Sequence, residues 1–242
     1  MRVSRLYVSS VLTVGRHIEL DEDAGHYVRS VLRLKQADSI VLFNGGGGDY
    51  QGCLAEVSRK SVRVEIEKFL DRDVESPLNV RLGIGISRGD RMDWAIQKAV
   101  ELGVNQITPL ITERCVIKFS SDKKQQRLEH WQNIILHAAE QSGRTRLPEL
   151  FEIADLPGWC SEQQGLKVFL DPQAEKSLRD LPANTDQITL LSGPEGGFSA
   201  QEREIGKAAG FIPVRMGPRI LRTETAVLAA LTAVQTLWGD FN

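Results

Sequence analysis

The pattern of apolar and polar positions divides the chain into two parts. In the first part, β-strands are predicted at Ser39–Phe43, Tyr50–Val57 and Ser61–Phe69. The third run alternates apolar and charged side chains, which is the period of a half-buried strand. One helix is predicted between Asp21 and Leu34. We therefore expect a small β-rich domain in this part of the chain.

A charged segment that ends in a proline, Leu70–Pro77, separates this domain from a different pattern. After it, apolar runs alternate with segments of helical periodicity, which is typical of a mainly parallel α/β sheet. Strands are predicted at Val80–Ile86, Gln106–Ile111, Leu166–Leu170, Ile188–Leu191 and Phe211–Met216. Helices are predicted from a cap at Asp90 to Gly103, from about Asp122 to Gly143, from the capping box Ser199–Glu202, and over Thr223–Leu237.

The composition excludes several classes of protein. The chain has 242 residues, of which 41% are hydrophobic and 26% charged, so a disordered or fibrous chain is excluded. The longest apolar-rich run, Ala226–Val234, is shorter than the roughly 18 residues of a membrane span. Cys53, Cys115 and Cys160 are unclustered and indicate neither a disulfide framework nor a metal site. With no secretory signal pattern evident, we expect a cytoplasmic protein with no membrane partner.

The net charge is informative about partners only when basic and acidic side chains are counted separately for each segment of the chain. The total of 30 basic and 32 acidic side chains, a net charge of −2, argues at first against a nucleic-acid partner. Residues 77–150, however, carry 11 basic and 8 acidic side chains, and residues 151–242 carry 8 and 12. The total therefore says little about any one surface.

Two loops that follow predicted strands are candidates for chemistry, because α/β sheets bind ligands at the carboxyl ends of their strands. Ser192–Gly197 is rich in glycine, so its backbone either approaches a ligand closely or forms a tight connection. Met216–Thr225 combines a Gly-Pro turn, two arginines around an apolar pair, and a helix N-terminus suited to an anion.

Two further glycine-rich segments carry weaker signals. Gly83–Gly89 is close to a dinucleotide-binding fingerprint but has one residue too many before its third glycine. Gly45–Gly48 is either a phosphate loop or a flexible hairpin connection, and the lack of a following Lys-Ser/Thr favours the hairpin.

The helix predicted near the start of the chain would expose basic side chains on one face. His26, Arg29 and Arg33 are three and four residues apart, so the stripe either grips phosphates or is a solvated face. His130 and His137 lie seven apart with no third ligand nearby, which favours structural roles over metal binding.

Five motifs together resemble a known family. They are Arg88–Gly103, Thr112–Cys115, Ala138–Arg144, Gly193–Gly197 and Gly217–Ala226. Their order resembles the RsmE family of bacterial methyltransferases, which act on N3 of a uridine in 16S ribosomal RNA. The resemblance covers essentially the whole chain and implies uridine 1498, in conventional rRNA numbering, as the target.

The resemblance also implies the architecture and the partners. The RsmE family belongs to the SPOUT superfamily, so we expect an α/β methyltransferase domain with a C-terminal trefoil knot over residues 73–242. A PUA-like RNA-binding β-barrel is expected over residues 1–72. The resemblance further implies a homodimer that acts on 16S rRNA within the 30S subunit. The general rule against threaded chains would argue against the knot.

By the same resemblance, the two candidate loops hold S-adenosylmethionine in a bent conformation. The residues implied in cofactor binding are Leu191, Gly193, Pro194, Glu195, Gly196, Met216, Gly217, Ile220, Leu221 and Thr223. An uncharged adenosine needs apolar walls and backbone hydrogen bonds rather than a phosphate cradle, and these residues supply both.

Methylation of uracil N3 requires that its proton be removed or that the resulting anion be stabilised. Arg222 and Arg219 are the candidates for stabilising charge on the uracil oxygens. Glu224 is either the base or a carboxylate that interacts with a helix N-terminus. Glu140 and Arg144 either approach the site or form a surface pair.

RNA contacts are predicted for a set of basic side chains in both domains. They are Arg2, Arg5, His26, Arg29, Arg33, Arg88 and Arg91. Two other functions stay open from the residues alone. One is a non-catalytic RNA-binding assembly factor with this fold, and the other is a nicotinamide-dependent oxidoreductase built on Gly83–Gly89.

Overall fold

The computed structural model describes residues 3–115, 121–182 and 184–241, and the chain forms two compact units. The first unit combines Met1–Glu75 with Ala139–Leu147, and the second combines Ser76–Ala138 with Pro148–Asn242. The main division thus lies three residues after the boundary expected from the sequence. The nine-residue segment Ala139–Leu147 was expected in the second domain, but it packs with the first.

The first unit is built on a five-stranded sheet with the order β1-β3-β4-β5-β2. Its strands are β1 (Ser4–Tyr7), β2 (His17–Glu19), β3 (Ser39–Phe43), β4 (Asp49–Val57) and β5 (Val62–Leu70). The β1–β3 pair is parallel and the other pairs are antiparallel. The three predicted strands are confirmed, and their alternating apolar side chains form one buried core with the helical segment.

The predicted helix of the first unit is shorter and less regular than expected. Helix α1 (Glu22–His26) is capped by the Asp21 carboxylate, which accepts a 2.8 Å hydrogen bond from the Ala24 amide. It continues as a π-helical turn over Tyr27–Val31, and Arg33 follows outside it with φ of 55°. Because the π turn and the positive φ of Arg33 change the angular spacing, α-helical periodicity does not determine which of these basic side chains share a face.

The four-glycine segment joins β3 to β4, so the hairpin interpretation is confirmed. Gly47 has φ of 101° and its amide donates to the carbonyl of Thr145 at 3.2 Å. Gly46 forms a β-bridge with Arg146. The glycines therefore let the backbone pack against the segment Ala139–Leu147 rather than cradle a phosphate.

The second unit is an α/β fold around a parallel sheet with the order β12-β10-β11-β6-β7-β8, and β9 pairs with β7. Its strands are β6 (Asn79–Gly85), β7 (Gln106–Ile111), β8 (Glu149–Leu150), β9 (Ala154–Asp155), β10 (Leu166–Leu170), β11 (Gln187–Ser192) and β12 (Ile212–Val214). The five predicted strands are confirmed, and the two-residue strands β8 and β9 were not predicted.

In the described part of this unit, four α-helices connect the strands and a fifth follows β12. They are α2 (Asp90–Glu101), α3 (Ser121–Ser142), α4 (Leu156–Glu162), α5 (Ala200–Ala208) and α6 (Thr223–Trp238). The predicted capping box of α5 is present, with Ser199 and Glu202 bonded to each other's amides. The cap predicted for α2 needs correction, because Gly89, with φ of 58°, precedes the helix and Asp90 is its first residue. No described helix is long and apolar enough to cross a membrane.

Candidate functional site

A cavity of about 480 Å³ opens at the carboxyl ends of β10, β11 and β12. Because these strands are parallel neighbours, the loops that follow them meet at the same edge of the sheet. Of the residues predicted to bind the cofactor, those that line the cavity are Gly193, Pro194, Glu195, Gly196, Met216, Gly217, Ile220, Leu221 and Thr223. Leu191 is 2% exposed and packs in the core with Phe169 and Phe198, so its side chain does not line the cavity.

Of the three predicted catalytic side chains, two line the cavity and one does not. Arg219 and Arg222 line the cavity and are exposed, just before α6 begins. Glu224 lies in the first turn of α6 and does not line the cavity. Its Oε2 atom is buried, and no described residue forms a hydrogen bond with it. A buried carboxylate oxygen without a partner costs about 1–3 kcal/mol, so it needs an explanation.

The glycines of β6 explain why the dinucleotide interpretation fails. A Cβ atom on Gly83 would lie 2.4 Å from the indole of Trp159, and one on Gly85 would lie 2.5 Å from Cδ of Pro194. Both distances are far below van der Waals contact, so any side chain at these two positions would clash. Glycine is therefore required here for close packing. Gly85 in particular lets the loop after β11 lie directly against β6.

The loop Gly193–Gly197 is held by the turn that follows β6. The Glu195 carboxylate accepts hydrogen bonds from the Arg88 amide at 2.9 Å and from Nη1 of Arg91 at 3.1 Å. Burial raises the pKa of Glu195, but the Arg88 amide, the loop backbone and Arg91 lower it, and the net pKa is below the ordinary value. Glu195 thus braces the cavity wall with its carboxylate.

Two charged residues of the cavity, Asp171 and Arg203, were not predicted from the sequence. Asp171 directly follows β10 and is 7% exposed, and its carboxylate lies 3.2 Å from Nη1 of Arg203 on α5. A signal for Asp171 was present in the sequence, because it is the first polar residue after the predicted strand Leu166–Leu170. Nothing in the sequence pointed to Arg203.

The prediction that Arg5 contacts RNA phosphate needs correction. Its side chain is 12% exposed, pairs with Asp49 at 2.8 Å, and lies 3.6 Å above the ring of Phe43. It also donates to the carbonyls of Ala139 and Arg144. A guanidinium committed to these partners has no exposed fork for a phosphate.

The other predicted RNA contacts differ in exposure. His26, Arg33, Arg88 and Arg91 are exposed. Arg29 is half-buried and donates to the carbonyl of Ser58 at 3.3 Å. Arg2 lies outside the described residues.

Glu140 and Arg144 have structural contacts in the first unit. The Glu140 carboxylate accepts a hydrogen bond from the Tyr7 amide at 2.9 Å, and Arg144 pairs with Glu75. Arg144 is 5% exposed and therefore not at the surface, and these contacts favour a role in packing over a role in chemistry. Nε2 of His130 lies 2.7 Å from the Asp93 carboxylate, which agrees with the structural role expected for that histidine.

Comparisons with protein families match both parts of the chain. Residues 74–235 match an RNA methyltransferase domain, and residues 20–67 match an RNA methyltransferase PUA domain. The matches confirm the predicted fold class, an α/β methyltransferase domain preceded by a PUA-like domain.

Relatives and solved structures match over the full length. The chain is 37% identical to ribosomal RNA small subunit methyltransferase E of Buchnera aphidicola, covering 100% of this chain and 99% of the relative. The fold matches a Legionella pneumophila methyltransferase solved with S-adenosylmethionine, with TM-score 0.97, 40% identity and 100% of both chains covered. It also matches ribosomal RNA small subunit methyltransferase E of Neisseria gonorrhoeae bound to S-adenosylmethionine, with TM-score 0.94, 38% identity and 100% of both chains covered.

Proposed function

Because the chain belongs to the ribosomal RNA small subunit methyltransferase E family, we propose that it methylates N3 of one uridine in 16S rRNA. It is an RNA methyltransferase with a SPOUT-type catalytic domain, and S-adenosylmethionine is its cofactor. The target, uridine 1498 in conventional rRNA numbering, follows from the family resemblance. The alternatives of an assembly factor and of a nicotinamide enzyme gain no support from the site.

The cavity at the ends of β10–β12 is the observation that carries this proposal. Its volume of about 480 Å³ falls within the roughly 300–1,000 Å³ of small-molecule sites. Gly196 and Gly217 bring backbone amides and carbonyls to its wall, while Ile220 and Leu221 supply apolar surface. These groups fit an adenosine moiety, and the Asp171 carboxylate fits a cationic ligand. When bound, S-adenosylmethionine supplies an electrophilic methyl group.

Two arginines of the cavity can stabilise the negative charge that forms on uracil when N3 loses its proton. Uracil keeps its N3 proton at neutral pH, and loss of the proton places negative charge on the two neighbouring oxygens. Arg222 and Arg219 line the cavity, so their guanidinium groups would stabilise that charge in the transition state. Removing one such donor typically costs about 100- to 1,000-fold in turnover.

Glu224 is the candidate for the group that accepts the N3 proton. Its buried Oε2 atom lacks a hydrogen-bond partner among the described residues and is two residues from Arg222. An unpaired carboxylate oxygen keeps a lone pair that can accept a proton, and because this oxygen is buried outside the cavity lining, a water molecule would deliver the proton. In the alternative role, a carboxylate that interacts with the helix N-terminus could have both oxygens hydrogen-bonded. That role therefore does not explain why Oε2 of Glu224 is unpaired.

Recognition of the RNA would use exposed or half-buried basic groups in each unit. Arg88 and Arg91 lie at the cavity rim through their contacts with Glu195, and His26, Arg29 and Arg33 belong to the first unit. With a net charge of −2, affinity for bulk RNA should be weak and salt-sensitive. A shaped site on the 30S subunit would then supply the specificity.

The homodimer, the trefoil knot and the cytoplasmic location are also part of the proposal. Helix α6 supports the homodimer, because it carries no charged side chain from Thr225 to Trp238. Its exposed or half-buried positions include Thr225, Ala229, Thr232, Ala233 and Thr236. Such a small, uncharged face suits a second copy of this chain better than water.

The test is incubation of the full chain with labelled S-adenosylmethionine and either 30S subunits or naked 16S rRNA, followed by nucleoside analysis. We expect 3-methyluridine at a single position, and label in another nucleoside or in none would contradict the proposal. Arg222→Ala should lose turnover while keeping most of its cofactor affinity by calorimetry. Lys207→Ala, which removes an exposed charge on α5, is the control.

A further inference from the structure

Arg114 lies in the connection between β7 and α3 and contacts the loop Gly193–Gly197, the cofactor loop. Its Nη1 atom donates to the carbonyl of Gly196 at 2.7 Å. Its aliphatic stem lies against the same glycine, since a Cβ atom on Gly196 would be 3.1 Å from Cβ and 3.3 Å from Cδ of Arg114. Gly196 lines the cavity, so Arg114 reaches the site through this one peptide.

The backbone on either side of Arg114 is itself anchored. The Glu113 amide donates to Oε1 of Glu202 at 2.7 Å, and the Cys115 amide donates to the Thr112 carbonyl at 3.0 Å. Glu202 is 8% exposed, and its Oε2 atom accepts the amide of Ser199 at 2.8 Å. One buried carboxylate thus joins the Arg114 connection to the helix cap that ends the cofactor loop. This anchoring lowers the entropy cost of ordering the arginine.

The loop that Arg114 contacts needs such a brace. Gly193, Gly196 and Gly197 make up three of its five residues, and glycine loses more backbone freedom on ordering than any other residue. Glu195 is already held by the turn after β6, through the Arg88 amide and Arg91. Arg114 holds the next peptide unit from the turn after β7. Two neighbouring connections therefore fix two successive residues of the cavity wall.

We propose that Arg114 is a positioning residue for the cofactor site, which holds the Gly193–Gly197 loop in its binding conformation before the cofactor arrives. This inference rests on the proposed function, because it takes the cavity to be the S-adenosylmethionine site. Arg114 acts through the Gly196 carbonyl and not by contact with the reacting atoms. Preorganisation of this kind raises affinity by reducing the ordering cost at binding.

The test measures cofactor binding to the full chain by calorimetry in the absence of RNA. For Arg114→Ala we expect S-adenosylmethionine affinity to fall about five- to tenfold, as expected for the loss of one hydrogen bond from a charged group. Arg114→Lys keeps a donor on a similar stem and should restore part of the loss. Lys207→Ala, which removes a positive charge away from the loop, should match the wild type.

Steady-state kinetics with 30S subunits separate positioning from RNA contact. We expect Arg114→Ala to raise KM for the cofactor while kcat at saturating cofactor and KM for RNA change less than about twofold. A raised KM for RNA with unchanged cofactor affinity would overturn the inference, and so would an alanine variant that binds the cofactor like the wild type. Thermal unfolding of both variants checks folding, and the lysine variant carries the test if the alanine variant unfolds. A wild type that does not bind the cofactor would instead contradict the proposed function.

Discussion

The guanidinium of Arg144 donates through Nε to the Glu75 carboxylate at 2.9 Å, and both side chains are less than one-tenth exposed. The pair joins the segment Ala139–Leu147 to the end of the first unit's main segment. A charged group of three residues lies in the same unit, where Asp49 accepts hydrogen bonds from Arg5 and Arg72. The motif Ala138–Arg144 thus serves largely to build the first unit.

Arg144→Ala should destabilise the protein strongly. The substitution leaves the Glu75 carboxylate buried without its partner, which costs about 3–5 kcal/mol of unfolding free energy. Urea denaturation followed by circular dichroism measures the loss. Arg146→Ala, at an exposed position two residues on, should change stability by less than about 0.5 kcal/mol. Equal effects of the two substitutions would contradict the structural role of the pair.

Glu195→Gln should remove part of the acid sensitivity of the protein. Burial raises the pKa of Glu195, but its hydrogen bonds with Arg88 and Arg91 and within the loop hold it below the ordinary value of 4.5. A lowered pKa in the folded state means that the ionised group stabilises the fold above pH 4.5, and that this stability is lost as the pH falls through the folded-state pKa.

The measurement for Glu195 is the thermal midpoint between about pH 3 and pH 7. We expect the wild type to lose stability more steeply than Glu195→Gln on acidification, and the variant to be the less stable protein at pH 7. Parallel curves for the two proteins would show that the carboxylate does not brace the loop.

Asp171→Asn should weaken cofactor binding. The substitution keeps the shape of the side chain but removes the negative charge opposite Arg203, so the cavity wall becomes more positive. A cationic sulfonium ligand should then bind about five- to tenfold more weakly, which corresponds to about 1–1.4 kcal/mol. Calorimetry measures the change, with Glu204→Gln, an exposed position on α5, as the control. Unchanged affinity in Asp171→Asn would remove this carboxylate from cofactor recognition.

Gly85→Ala should displace the cofactor loop. The new Cβ atom would lie 2.5 Å from Cδ and 2.6 Å from the nitrogen of Pro194, so the loop must move. We expect cofactor affinity to fall at least about tenfold and stability to fall by about 1–3 kcal/mol. Gly206→Ala, in helix α5, is the matched control. Its new Cβ atom would meet only ordinary van der Waals contacts, the nearest of them Cδ1 of Phe169 at 3.7 Å. That substitution should be neutral or stabilise by up to about 1 kcal/mol, and similar effects at both positions would contradict the prediction.

Much of the second unit follows from periodicity in the sequence. The apolar positions of α2 recur every three or four residues and are buried, and strand β10 has the predicted bounds. Strands β1 and β2 of the first unit were not predicted, because runs of three or four residues carry too little periodicity. Their position depends on pairing with residues far away in the chain.

The site was predictable where it depended on strand ends and not where it depended on distant partners. The loops Ser192–Gly197 and Met216–Thr225 follow strands, so their meeting at one cavity could be expected. Arg5 was assigned to RNA because it is basic, but its partner Asp49 is 44 residues away. Arg114 had no assigned role for the same reason, since it bonds to a glycine 82 residues further along.

The membership of Ala139–Leu147 in the first unit has a consequence for synthesis on the ribosome. The chain must be translated to Leu147 before the buried carboxylate of Glu75 meets Arg144, and before Arg5 and Arg72 meet the backbone carbonyls of this segment. A nascent chain paused after the linker holds uncompensated charge in an incomplete unit. The amino-terminal unit therefore finishes folding only when more than half of the polypeptide has left the exit tunnel.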